Sequence, residues 1–186
     1  MAAPSTAVKM FASACKIGMI GCSTVLMSDI KMLISGVAAD KNVAKIRVAG
    51  LGNDPESTFR LLNLLDRNNL NIDVMIQSLG KDGTKSVSFT VAKPDMLRTI
   101  DVLNDNKDSL GIKKLDYDEN VAKISVIGAG VRSHSGVAAK MFGALANAGI
   151  NTEMITTSEI RITALIDEAY ADQAMRAIHE TFLERV

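Results

Sequence analysis

The fold is decided by the stretch Val43-Ala44-Lys45-Ile46-Arg47-Val48-Ala49-Gly50, which returns 78 residues later as Val121-Ala122-Lys123-Ile124-Ser125-Val126-Ile127-Gly128. Further along, Asn71-Ile72-Asp73 matches Asn151-Thr152-Glu153 at an offset of 80. The chain therefore contains its own duplicate, which predicts two similar folding units. The two extra residues of the second copy fall in the loop after its first strand, where an insertion costs little.

Each copy shows the same order of hydrophobic periodicities. In the first copy a strand alternates at Ala44, Ile46 and Val48, and a helix starts after Asn53 or Asp54. The dipeptide Asp82-Gly83 then predicts a β-hairpin, and a second helix and a strand follow. The order β-α-β-β-α-β predicts an α+β fold of two ferredoxin-like modules, each a four-stranded antiparallel sheet with two helices on one face.

The helical periodicity also predicts which side chains face the core. The expected apolar stripes of the four helices are Phe59, Leu62 and Leu65, broadened by Leu61 and Leu64; Leu97, Ile100 and Leu103; Val137, Met141 and Leu145; and Ala171, Met175, Ile178 and Phe182.

Strand counting leaves two connectivities open, because the second copy lacks a fourth strand of its own after its last helix. In one, residues 34–43 join residues 120–186 as the second module, and residues 44–119 form a first module inserted within it. In the other, residues 34–39 pair with residues 44–49 as a simple hairpin, giving two modules in series.

Composition argues against several classes of protein. Twenty-one basic residues balance 21 acidic ones and only 4% of residues are aromatic, so nucleic acid and membrane are poor candidates as partners.

Residues 1–33 are interpreted as a tail of unknown role, in which Ile17–Met27 is too short to cross a bilayer. Cys15 and Cys22 predict no disulfide framework, which suits a cytoplasmic protein, and His134 and His179 stand apart from any metal-ligand cluster.

Several stretches resemble the tandem ACT region of bacterial aspartate kinases over residues 34–186. They are Gly36–Asp40, Gln77-Ser78, Asp82–Thr84, Phe89–Val91, Gly128–Gly130, Ser133–Phe142 and Thr157–Arg161. In that family the intertwined arrangement with an inserted first module is usual. The modules bind end-product amino acids, which inhibit an ATP-dependent phosphorylation of aspartate carried out by a separate domain.

The resemblance implies an allosteric regulatory domain or small subunit that binds lysine or threonine and has no catalytic domain of its own. It also implies a homodimer and a catalytic aspartate kinase partner. ATP and magnesium are expected only for the missing kinase domain, since no Gly-rich phosphate loop with a catalytic lysine is found here.

A free amino acid needs backbone N–H groups for its carboxylate and oxygen acceptors for its ammonium, and a helix start after a strand supplies both. This requirement points to Asn53, Asp54 and Gln77 in the first module. The resemblance supports Asn53 and Gln77 and implies the rest of the effector-binding set: Thr58, Ser78, Ser135, Gly136, Ala138, Asn151, Thr152 and Ser158. Relatives commonly have Asp at Asn53, Gly at Glu56 and Pro at Ser135. These departures predict weakened or altered binding at the first site.

Three other interpretations compete with effector binding. Asn53 and Asp54 could be ordinary helix caps, and Gln77 a solvated strand residue. The stretch Gly128–Ser133 suggests a dinucleotide loop, but the short Thr157–Glu159 connection forces an antiparallel hairpin where such a fold needs a long crossover. The chain could also be a structural dimerisation module that has lost its effector.

Overall fold

The computed structural model describes residues 34–80, 82–129, 131 and 136–183. Within them the strands are β1 (Gly36–Leu51), β2 (Met75–Leu79), β3 (Lys85–Ala92), β4 (Lys114–Ile127), β5 (Met154–Thr157) and β6 (Arg161–Asp167). The helices are α1 (Pro55–Arg67), α2 (Met96–Asp105), the single turn α3 (Lys107–Leu110), α4 (Gly136–Asn147) and α5 (Ala171–Phe182). The predictions for residues 1–33, His134 and Ser135 lie outside the described residues.

All six strands form one antiparallel sheet in the order β2-β3-β1-β4-β6-β5. The first module, as we use the term below, comprises α1, β2, β3, α2 and α3 with the adjoining halves of β1 and β4. The second module comprises α4, β5, β6 and α5 with the other halves. The predicted α+β fold is confirmed, and the two four-stranded sheets are joined into one.

The joining occurs because β1 and β4 are shared. The end of β1 from Val43 onward pairs with β3, whereas its beginning, Gly36 to Asp40, pairs only with the end of β4. Since β1 runs without interruption from residue 36 to residue 51, the alternative hairpin between 34–39 and 44–49 does not form. This pairing favours the inserted arrangement, while the predicted module boundaries stay a prediction.

The register of β1 against β4 has the symmetry of the sequence repeat. Gly36 lies opposite Ile127 and Ala49 opposite Lys114, and a shift of 78 residues converts one pair into the other. Near the midpoint, Val43 lies opposite its own repeat partner, Val121. An approximate two-fold axis therefore passes through the centre of the sheet.

Buried side chains form one core for each module. Residues of alternate sheet positions and of the covering helices make up the first core: Ala44, Ile46, Val48, Leu51, Leu61, Leu65, Leu70, Val87, Phe89, Val91, Met96, Ile100, Leu103 and Ile112. The second core is built in the same way: Ile34, Ala122, Ile124, Val126, Val137, Met141, Ala144, Leu145, Ile150, Ile162, Ala164, Ile166, Ala171, Ala174, Ile178 and Phe182. No helix in the described part of the chain is long and apolar enough to cross a membrane.

Two of the predicted inward residues are wrong. Phe59 is 65% exposed and Leu97 is 67% exposed. On α1 the buried positions are Ser57, Leu61 and Leu65, at a spacing of four, and Phe59 lies about 200° around the helix from Leu61. Contact with the sheet selected one of two apolar stripes that the sequence offers. On α5, similarly, Ala174 is buried and Met175 is only partly buried.

The two leucines of α2 allow a matched test of this packing. Leu103 is fully buried, so Leu103→Ala should lower the free energy of unfolding by about 2–5 kcal/mol through lost apolar contact and a cavity. Leu97→Ala on the same helix should change it by no more than about 0.5 kcal/mol. Urea denaturation of both variants measures the difference, and equal losses would contradict the observed orientation of α2.

Candidate effector site

The start of α1 is capped by Asp54. Its Oδ1 accepts a hydrogen bond of 2.8 Å from the Ser57 amide, and its Oδ2 accepts one from the Ser57 hydroxyl. Pro55 occupies the first turn, as its fixed φ favours. A Cβ at Gly52 would lie 2.5 Å from Asp54 Oδ2, so glycine is needed for the carboxylate to reach this position. Asp54 therefore acts as a helix cap, with both carboxylate oxygens engaged.

Two cations surround this cap. Lys85 Nζ donates to the backbone carbonyl of Asp54 at 2.7 Å, and Arg60 Nη2 lies 3.5 Å from Asp54 Oδ1. The hydrogen bond from the Ser57 side chain is the main cause that lowers the pKa of Asp54 below its ordinary value, and Arg60 contributes in the same direction. Arg60 also lies 3.7 Å from Glu56 Oε2, one turn away. The charge of Glu56, which stands where relatives commonly have Gly, therefore has a nearby counter-charge.

Thr58 and Gln77 meet between helix and strand. The Thr58 hydroxyl donates to Gln77 Oε1 at 2.6 Å, which joins the second turn of the capped helix start to the edge strand β2. Gln77 is exposed, and so is Asn53 beside the cap. Ser78 projects to the opposite face of β2, because successive side chains of a strand alternate. The structure thus brings Thr58 and Gln77 together and leaves Ser78 apart.

In the second module the predicted residues fall into two groups. Gly136 and Ala138 lie in the first turn of α4, whereas Asn151 and Thr152 follow its other end. The helix has 12 residues, so its ends are about 18 Å apart. Within one chain these two groups do not form a single binding site.

Asn151 and Thr152 line a shallow pocket of about 520 Å³ at the C-terminal end of α4, together with Phe142 and Ile155. Ser158 lies instead in the β5–β6 turn, where its amide donates to the Arg161 carbonyl at 2.7 Å. Its hydroxyl contacts the same carbonyl at 3.3 Å. Ser158 therefore stabilises the hairpin.

Sequence reasoning missed the basic residues at this site, Arg60 and Lys85. The spacing of Glu56 and Arg60, four residues apart, was the available signal for one of them. Lys85 could not be found in this way, because it reaches Asp54 across 31 residues of sequence. Among the described residues no cluster of His, Cys, Asp or Glu could hold a metal ion, and His179 is exposed on α5.

Comparison with known proteins finds an ACT-domain family model and aspartokinase relatives. A family model described as an ACT domain matches residues 124–182. Aspartokinase of Pseudomonas aeruginosa is 37% identical over 150 residues, which cover 81% of this chain and 36% of that protein. The chain thus spans about a third of the length of the curated relatives it matches.

Two solved structures match this chain over nearly their whole length. The regulatory subunit of aspartate kinase from Thermus thermophilus is 33% identical with a TM-score of 0.76, covering 81% of this chain and 99% of that one. A chain from the crystal structure of aspartokinase alpha and beta subunits is 42% identical with a TM-score of 0.75, covering 80% of this chain and 98% of that one.

The fused sheet and these matches define a protein of the ACT class, with two modules built around shared central strands. The chain belongs to the aspartate kinase family and corresponds to its regulatory ACT-domain region.

The cap predicts a pH-dependent contribution to stability. Asp54→Asn keeps a capping oxygen but removes the charge. Because the pKa of Asp54 is lowered below 3.8, its carboxylate stabilises the folded state fully above pH 3.8, and this contribution is lost as the pH falls through the lower folded-state pKa. Urea denaturation should give the variant a lower free energy of unfolding than the wild type at neutral pH, and this difference should shrink in acid. A difference that is independent of pH would contradict this account.

Proposed function

We propose that this chain is an allosteric regulatory domain or subunit that binds lysine, threonine or both and transmits the binding to a catalytic aspartate kinase chain. The contact between Thr58 and Gln77 carries the proposal, because it brings a side-chain amide to the start of a helix that follows a strand. The similarity to a structure of aspartokinase alpha and beta subunits supports a catalytic partner. ATP and magnesium would be bound by that partner.

The helix start offers specific groups to an amino acid. Proline has no N–H, and the Ser57 amide is taken by Asp54, so the Glu56 amide is the first-turn donor that remains for a ligand carboxylate. Asn53 supplies an oxygen acceptor for the ammonium group, and the exposed amide of Gln77 can contact the ligand side chain. One remaining donor accounts for weaker binding in the first module than a glycine-rich helix start would give.

A second copy of the chain would complete the site. The residues predicted for the second module lie at opposite ends of α4, so one copy's Asn151 and Thr152 need another copy's helix start. The edge strands also carry exposed apolar side chains, Met75 and Leu79 on β2 and Ile155 on β5, and Ile160 is exposed in the turn that follows β5. Burial of this surface favours a homodimer.

A thermal-shift screen of the chain against the twenty amino acids tests effector binding. A ligand at about 100 times its Kd stabilises the folded state by about 2.7 kcal/mol, so lysine or threonine should raise the Tm selectively. Gln77→Ala should weaken binding about five-fold, the effect of one net hydrogen bond, without unfolding the free protein. Asn104→Ala, at an exposed position of α2, is the control and should leave affinity unchanged.

The same screen tests the rival function. A stable dimer that responds to no amino acid would contradict effector binding and favour the structural dimerisation module. The full use of the Asp54 carboxylate in capping is the observation that favours this rival.

The dimer has its own test in Leu79→Asp, which places a charge in the exposed edge of β2. Leu79 is 62% exposed in the single chain, so the monomer should keep its fold while association is lost. Sedimentation equilibrium should give a monomer mass. Leu97→Asp introduces the same charge at a similarly exposed position on α2 and should leave the dimer intact. Dissociation by both variants, or by neither, would count against this interface.

A further inference from the structure

Two lysines form ion pairs with acidic residues of the other module, and we call these contacts the crossed ion pairs. Lys45, on the first module's half of β1, forms an ion pair with Glu153 of the second module. Lys123, on the second module's half of β4, forms an ion pair with Asp73 of the first. Lys45 and Lys123 are repeat partners, and so are Asp73 and Glu153. The two contacts are therefore one interaction repeated by the two-fold symmetry of the chain.

Each acidic residue is held by the sheet of its own module. The Asp73 amide donates to the Thr90 carbonyl at 3.2 Å, and the Glu153 amide donates to the Leu165 carbonyl at 2.8 Å. Thr90 is in turn the strand neighbour of Lys45. Each side chain thus leaves a backbone anchored in one module to reach a lysine anchored in the other.

The crossed lysines flank a small apolar cluster at the two-fold axis, formed by Val43, Val74, Val121, Met154 and Leu165. Alternation along β1 and β4 places this cluster on the sheet face opposite the helices. The Lys45 side chain is 25% exposed and that of Lys123 only 12%, since their methylene stems lie along apolar surface.

Other ion pairs involve residues at the boundary between the two modules, which we call the junction. Lys123 Nζ also lies 3.3 Å from Asp40 Oδ2. At the turns that follow β3 and β6, Lys93 pairs with Glu168 at 2.7 Å, with both side chains about one-third exposed. Partly buried charges are screened less by salt than fully exposed ones, so these contacts can hold the junction together at physiological ionic strength.

The paired acids directly follow segments relevant to binding. Glu153 comes after Asn151 and Thr152, and Asp73 comes after the equivalent Asn71 and Ile72. We propose that the crossed ion pairs couple the two modules, so that a displacement of the 151–153 segment is transmitted through Lys45 to the first module, and a displacement of 71–73 through Lys123 to the second. Coupling between effector sites rests on the proposed function; the mechanical coupling does not.

Amide hydrogen exchange tests the mechanical part without any ligand. Glu153→Gln, a change in the second module, should speed exchange of the Asp73 and Thr90 amides of the first module about two- to five-fold, as loss of one ion pair allows. The charge-swapped double variant Lys45→Glu, Glu153→Lys should restore slow exchange. Glu180→Gln, exposed on α5, is the matched control and should have no effect on these amides.

Unchanged first-module exchange in Glu153→Gln, or an increase that the charge swap does not reverse, would overturn the proposal. Calorimetry then tests the effector link. In the wild-type chain, saturating threonine should change the affinity for lysine by about five-fold or more, and Lys45→Met should bring this ratio toward one. An unaltered ratio would overturn the link alone, whereas absence of any binding would be a failure of the proposed function.

Discussion

The antiparallel pairing of β1 with β4 is the constraint on which the rest of the structure depends. Each strand is long enough to belong to two modules, and their register repeats under a shift of 78 residues. Because both strands are shared, neither module can complete its sheet alone. One continuous ladder of backbone hydrogen bonds thus sets the relative position of both helical layers and both edge strands.

The two faces of the sheet have different roles as a result. One face carries the helices and the two large cores, whose burial supplies most of the stability. The other face carries, at the two-fold axis, only a small apolar cluster flanked by the crossed lysines. The modules are therefore joined by backbone pairing reinforced with charged side chains.

At the candidate site, the helix cap uses groups that the proposed ligand would also need. Asp54 takes the Ser57 amide to cap α1, which leaves fewer first-turn donors for a carboxylate. Arg60 lies near both acids at this helix start, so the charge of Glu56 is offset in the folded chain. The number of first-turn donors left for the proposed ligand is set by Pro55 and the Asp54 cap, not by the residue at position 56.

The sequence by itself determined the repeat, the order of strands and helices, the hairpin at Asp82-Gly83, where Gly83 has a φ of +76°, and a helix start after Asn53 or Asp54. These follow from local rules of periodicity and turn chemistry, which act over a few residues. Only the tertiary structure decided that the two sheets merge, that Phe59 and Leu97 face outward, and that Lys45 pairs with Glu153 across 108 residues. The physical reason is that strand partners, the buried side of a helix and long-range ion pairs are selected by packing between distant segments, which local patterns do not encode.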